Sequence, residues 1–218
     1  MPPPPPSQLV YCNLCQHETA HACLKTIEQP WWLEHVYLVA SVVTFDVLQC
    51  RGCHGVVLRR SVFDRNGEDT ADVRYFPPPM SRRLPEWRDK LPPEQKVLLE
   101  EIYRSLDAEN LTLPMMGTRA LVDMLMLEKV GDSGGFREKL KKFESAGYVS
   151  AKGREVLDVV LDLGSAAAHR GHASSGSEVQ SVIDIVEDIL RTVYVYPKVV
   201  EKLKDATPQR IRTKADVP

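Results

Sequence analysis

Two Cys-x-x-Cys pairs, Cys12/Cys15 and Cys50/Cys53, constrain this chain more than any other feature. Each pair sets two thiols on one tight turn, and two such turns supply the four thiolates of a tetrahedral structural zinc site. The alternatives carry less. Four thiolates also suit an iron–sulfur cluster, whereas a thioredoxin-like redox motif needs one pair in a βαβ setting. A fifth cysteine, Cys23, makes the count odd, which argues against a disulfide framework, and it reads as a small buried apolar residue. His17, His21 and His54 flank the pairs, and each is chemically able to replace a cysteine. A site closed by four protein ligands leaves no position for water, so the expected zinc ion at Cys12, Cys15, Cys50 and Cys53 is structural.

The rest of the chain divides around that module. The segment 36–48 and the shorter runs 56–58 and 73–76 are rich in β-branched and aromatic residues, as strands are, with Arg65-Asn66-Gly67-Glu68 as a turn. From about residue 93 apolar residues recur at helical spacing. Helices are expected over about 93–109, from Pro114 to about 131, over 135–145 with Gly147 as a stop, over 151–163, and over 178–194 with Ser177 as cap; one or two further turns are expected around 199–203. The fold class expected is α+β. Residues 1–8 form a disordered proline-rich leader, 9–76 a zinc ribbon, 77–92 a proline-rich linker, 93–206 a bundle of about five helices, and 207–218 a disordered tail.

Charge narrows the functional classes. With 28 Lys+Arg against 30 Asp+Glu the net charge is −2, so no global basic field holds nucleic acid. Any contact with RNA or DNA needs a local patch, and Arg51, Arg59 and Arg60 near the second pair are the candidates, against an ordinary solvated surface. No run of 18 apolar residues occurs, and the proline-rich start lacks the basic and apolar regions of a secretory signal, so a cytoplasmic protein is expected.

In the helical half, Gly164-Ser165-Ala166-Ala167-Ala168 is small-sided, so another helix or another subunit can approach closely, and a homodimer through this region is expected. His169, Arg170 and His172 follow at once. Two imidazoles and a guanidinium so close suit general acid–base work or phosphate binding; they equally suit a helix C-terminus, where cations meet the negative pole of the dipole. Arg119 has Asp123 four residues on, the spacing of a surface ion pair.

Taken in order, Tyr11-Cys12-x-x-Cys15, Thr19, His21, Leu48-x-Cys50-x-Gly52-Cys53, the proline-rich joint at 76–79 and Leu163-Gly164-Ser165-Ala166-Ala167-Ala168-His169 resemble the bacterial domain-of-unknown-function 4145 family. The resemblance implies a zinc ribbon joined to a HEPN-like helical bundle that dimerises, and a role in restriction-associated or anti-phage defence. Active HEPN bundles are metal-independent ribonucleases whose motif is Arg, four to six residues, then His. His169 fits the histidine, but counting back reaches Gly164, Leu163 and Asp162, none of them arginine. The expectation is a non-catalytic module that binds nucleic acid or a partner protein. The alternatives are a ribonuclease using His169, with Arg170 or Arg119 supplying the positive charge, and a structural assembly subunit.

Overall fold

A computed structural model describes residues 7–32, 39–64, 69–132 and 134–208. The proline run 2–6, the start of the expected strand at 36–38, the turn at 65–68 and most of the expected tail lie outside the described residues. The fold class is α+β: five strands precede the helices. Strands β1 (Ser7–Cys12), β2 (His17–Trp32), β3 (Val39–Cys50), β4 (Val56–Asp64) and β5 (Asp69–Phe76) form one antiparallel sheet in the order β1-β2-β3-β4-β5. Among the described residues, no helix is long and apolar enough to cross a membrane.

Register determines what each face of the sheet carries. Val10 pairs with Thr19, His21 with Cys50, Cys23 with Leu48 and Leu48 with Val57, so these side chains share one face. Val10, Leu48 and Val57 form its apolar cluster, with Cys23 and Tyr75 packed against it. Beyond the cluster lies a polar pair on the same face. Asp46, only 5 % exposed, accepts from Arg59 Nη2 at 2.7 Å and from the Thr26 hydroxyl at 2.5 Å, and Arg59 Nη1 reaches Gln8 at 2.6 Å. Cys23 is half-buried rather than fully inside, with its sulfur 3.9 Å from an Asp46 carboxylate oxygen.

The helices are α1 (Pro93–Asp107), α2 (Thr112–Val130), α3 (Phe136–Ser145), α4 (Ala151–His169), α5 (Gly176–Leu190) and α6 (Tyr196–Ala206). A π-helical turn, Arg191–Val195, makes α5 and α6 one continuous rod, so five rods stand where about five helices are expected. A 3-10 turn, Glu86–Lys90, occupies part of the stretch read as linker. The chain separates into two compact units: the described residues to 84 with 103–110, and 85–102 with 111 onward.

Two helix boundaries and one ion pair differ from the sequence expectation. First, α4 does not stop at 163 but continues to His169. Gly164 is the point where α4 crosses α2: a Cβ there would lie 2.6 Å from Arg119 Cβ and 2.9 Å from the Met115 carbonyl oxygen. The glycine that ends α4 is Gly171, at φ +65°. Second, the cap of α5 is Ser175, not Ser177. Ser175 Oγ accepts from the Glu178 amide and the Glu178 carboxylate accepts from the Ser175 amide, a reciprocal capping box. Third, Asp123 pairs with Lys139 rather than Arg119, which instead lies over the Phe136 ring at 4.2 Å. The stop at Gly147 stands as expected. Gly147 is at φ +81°, the Tyr148 amide donates to the Phe143 carbonyl, and the two rings stack at 4.8 Å.

Candidate metal centre

The four cysteines of the two pairs meet at one end of the sheet. Cys12 closes β1 and Cys15 sits in the turn to β2; Cys50 closes β3 and Cys53 sits in the turn to β4. The β2–β3 pairing, with His21 opposite Cys50, brings the two turns together. All four sulfurs lie within 4.8 Å of one another, with Cys12–Cys53 at 3.4 Å and Cys15–Cys50 at 3.9 Å. A tetrahedron with metal–sulfur bonds of about 2.3 Å has sulfur–sulfur edges of about 3.8 Å. The cluster therefore has the size of a four-thiolate metal cage.

Both turns have the same construction. The Gln16 amide donates to the Cys12 carbonyl at 2.7 Å, and the His54 amide donates to the Cys50 carbonyl at 3.0 Å. Gln16 (φ +61°) and His54 (φ +59°) take the left-handed conformation that reverses the chain after each second cysteine. The second turn aims amides at sulfur: Gly52 and Cys53 toward Cys50 Sγ at 3.4 and 3.5 Å, and Gly55 toward Cys53 Sγ at 3.4 Å. The Thr19 hydroxyl lies 3.2 Å from Cys50 Sγ.

These donors set the charge of the cluster. Burial pushes the Cys50 thiol up, but the Thr19 hydroxyl and the Cys53 and Gly52 amides outweigh it and bring it down to about 5. Cys15 is pushed up to about 12, first by its bond to Cys53 and then by burial. The Gly55 amide favours ionisation of Cys53, yet burial and Cys12 leave it raised. One thiolate forms readily, and its neighbours resist further negative charge. A divalent cation at the centre relieves that conflict, because coordination deprotonates a thiol outright. Two of the three flanking histidines are otherwise engaged: His17 Nδ1 is 2.7 Å from the Cys15 carbonyl and His21 Nδ1 is 2.9 Å from the Thr19 carbonyl. Thr19 is the functional contact that spacing alone does not reveal. Thr19 belongs to the residue order that carries the family resemblance, but only the strand register sets it against Cys50.

The other candidate residues do not converge. Arg51 lies exposed in the second turn. Arg59 and Arg60 are consecutive on β4 and so point to opposite faces: Arg59 pairs with Asp46, and Arg60 with Asp72 at 2.7 Å. In the helical unit, His169 is exposed at the last residue of α4. Arg170 turns back to Asp162 Oδ1 at 2.8 Å, and His172 Nε2 lies 3.8 Å from Glu178. Arg119, Arg137, Asp158, Asp162 and Ser165, with the apolar Phe136 and Leu161, line an open pocket of about 230 Å³ beside the α2–α4 crossing.

A family model described as Domain of unknown function (DUF4145) matches residues 100–212. Comparison with curated proteins and with solved structures finds no match.

Proposed function

The chain belongs to this family, a domain of unknown function, and from that premise we propose that it is a zinc-stabilised binding module of a prokaryotic defence or restriction-associated system. The cluster of Cys12, Cys15, Cys50 and Cys53 carries the reading. Zinc is the ion of choice for a closed thiolate set of this size, and four protein ligands leave it no open position, so it organises a zinc ribbon and does no chemistry. The ribbon and a HEPN-like helical bundle would then form a binding device. Among partners, protein is favoured over nucleic acid, because Arg59 and Arg60 already hold Asp46 and Asp72. The bundle supplies an apolar surface. Val156 and Ile185 link two shallow grooves between α4 and α5, of about 410 and 390 Å³, and a second copy of the chain seated there makes a homodimer beside the expected 164–168 stretch rather than through it, since Gly164 packs against α2.

One observation favours a second reading, a HEPN-like ribonuclease. Gly164 is one of the three positions open to the motif arginine, and Arg119 from α2 lies where a side chain at 164 would begin. Arg119 would then supply the phosphate-holding charge and His169 the proton transfer. Total RNA incubated with the protein, with and without EDTA, separates the two. A binding module leaves RNA intact in both arms. Metal-independent cleavage abolished by His169→Ala establishes the enzyme instead.

A further inference from the structure

We propose that Cys53 is the peroxide-oxidisable cysteine of the cluster and Cys12 its resolving partner, so that oxidation joins the two cysteine turns across the centre rather than closing either turn on itself. Cys53 is the exposed cysteine of the four, Cys15 is half-buried, and Cys50 and Cys12 are 0 % and 5 % exposed. Hydrogen-bond donors separate Cys53 further from Cys50: Cys50 Sγ faces the Thr19 hydroxyl and two amides, whereas Cys53 Sγ faces the single amide of Gly55. Access therefore selects Cys53. The resolving sulfur is fixed by distance: Cys12 Sγ lies 3.4 Å away, and the other short cross-turn contact joins Cys15 to Cys50 at 3.9 Å.

The chemistry balances. The Cys53 sulfur gives up its proton and attacks one oxygen of a hydroperoxide; the S–O bond forms, the O–O bond breaks, and the departing hydroxide or alkoxide takes up that proton. The Cys12 sulfur then attacks the Cys53 sulfenic sulfur; the S–S bond forms, the S–O bond breaks, and hydroxide leaves as water with the Cys12 proton. The two cysteines lose two electrons and the peroxide gains them. A metal at the centre loses two of its four ligands and is released. The new bridge spans 41 residues and links the end of β1 to the β3–β4 turn, so it holds the same end of the sheet that the metal held.

The metal-release step rests on the zinc reading above; the choice of sulfurs does not. The test uses the full chain, assayed for zinc before treatment, then exposed to stoichiometric hydrogen peroxide and digested with trypsin without reduction. Cleavage after Lys25, Arg51 and Arg59 puts Cys12, Cys15 and Cys23 on peptide 1–25, Cys50 on 26–51 and Cys53 on 52–59. The expected product is peptide 1–25 bridged to 52–59, with fragmentation placing the bond at Cys12, and one zinc released to a chromogenic chelator per peroxide consumed. The same bridge in Cys23→Ala excludes a detour through Cys23. A 26–51 to 52–59 bridge, a bond within 1–25, a bond from Cys53 to Cys15, a sulfinic acid at Cys53 without a bridge, or unreacted thiols overturns the proposal. The bridge formed in a chain that carries no zinc leaves the pairing standing and removes the zinc reading; zinc present with no bridge does the reverse.

Discussion

The sheet and the helical bundle are stabilised by different means. Among the described residues of the sheet, the fully buried apolar side chains are few: Val10, Val43, Leu48 and Val57, beside the two metal-site cysteines Cys12 and Cys50. The same surface spends much of its area on polar contacts, Asp46 with Arg59 and Thr26 among them. The bundle buries a long apolar series, including Leu99, Met115, Leu121, Leu125, Phe143, Ile183 and Leu190, all at 1 % exposure or less. A core of that size is self-sufficient in the usual way. The sheet has no such core among its described residues, and four sulfurs meet at one end of it. On the zinc reading proposed above, metal coordination substitutes for apolar burial in the sheet and is irrelevant to the bundle.

Five substitutions break or sharpen that contrast, from the largest expected effect to the smallest. Cys50→Ser removes a ligand and with it metal-linked folding energy of about 10 kcal/mol. The sheet should then fail to fold while far-UV circular dichroism of the helices persists; loss of both signals together would erase the contrast. Asp46→Asn strips a nearly buried partner from Arg59 and should cost about 3 kcal/mol in denaturant titration of the sheet. Its pH dependence has a definite sign. Burial opposes ionisation of Asp46, but the Thr26 hydroxyl and Arg59 outweigh it and hold the carboxyl below its usual range. A depressed native value means the contribution is complete above about pH 4, where the unfolded carboxyl is ionised, and is lost as pH falls through the native value. Stability of Asp46→Asn should therefore converge on wild type in acid, and a gap that stays constant would show that the charge is not the cause.

Gly164→Ala tests the bundle. Its Cβ would meet Arg119 and the Met115 carbonyl, so α4 must shift from α2 at a cost of about 2 kcal/mol, with no change in metal content. An unaltered or higher melting temperature would mean the helices yield freely there. Ser175→Ala should cost about 1 kcal/mol, from the lost cap of α5, whereas Ser177→Ala should be nearly neutral. The reverse order would return the cap to Ser177.

What was legible in the sequence follows the same division. The cysteine turns are local, and their spacing alone located all four sulfurs of the cluster. The helices were legible from apolar periodicity, and Gly147 from its position after an amphipathic run. Strand β2 was not, because its inward face carries Thr19, His21 and Cys23, so no apolar alternation announces it. The end of α4 was misplaced because glycine has two uses. Gly164 serves close helix packing and Gly171 serves termination, and only the position of α2 tells them apart. Arg119 was assigned its nearest carboxylate in sequence, whereas Phe136 and Lys139 of α3 decide which cation Asp123 holds. Local chemistry was readable; the choice among partners waited for tertiary structure.

The most direct test of metal dependence confined to the sheet is amide hydrogen exchange on the full chain, zinc-loaded and after removal of metal by a chelator under reducing conditions. Protection should vanish in β1 through β4 on metal removal while α2, α4 and α5 keep theirs. Unchanged protection in the sheet, or equal loss in the helices, would contradict it.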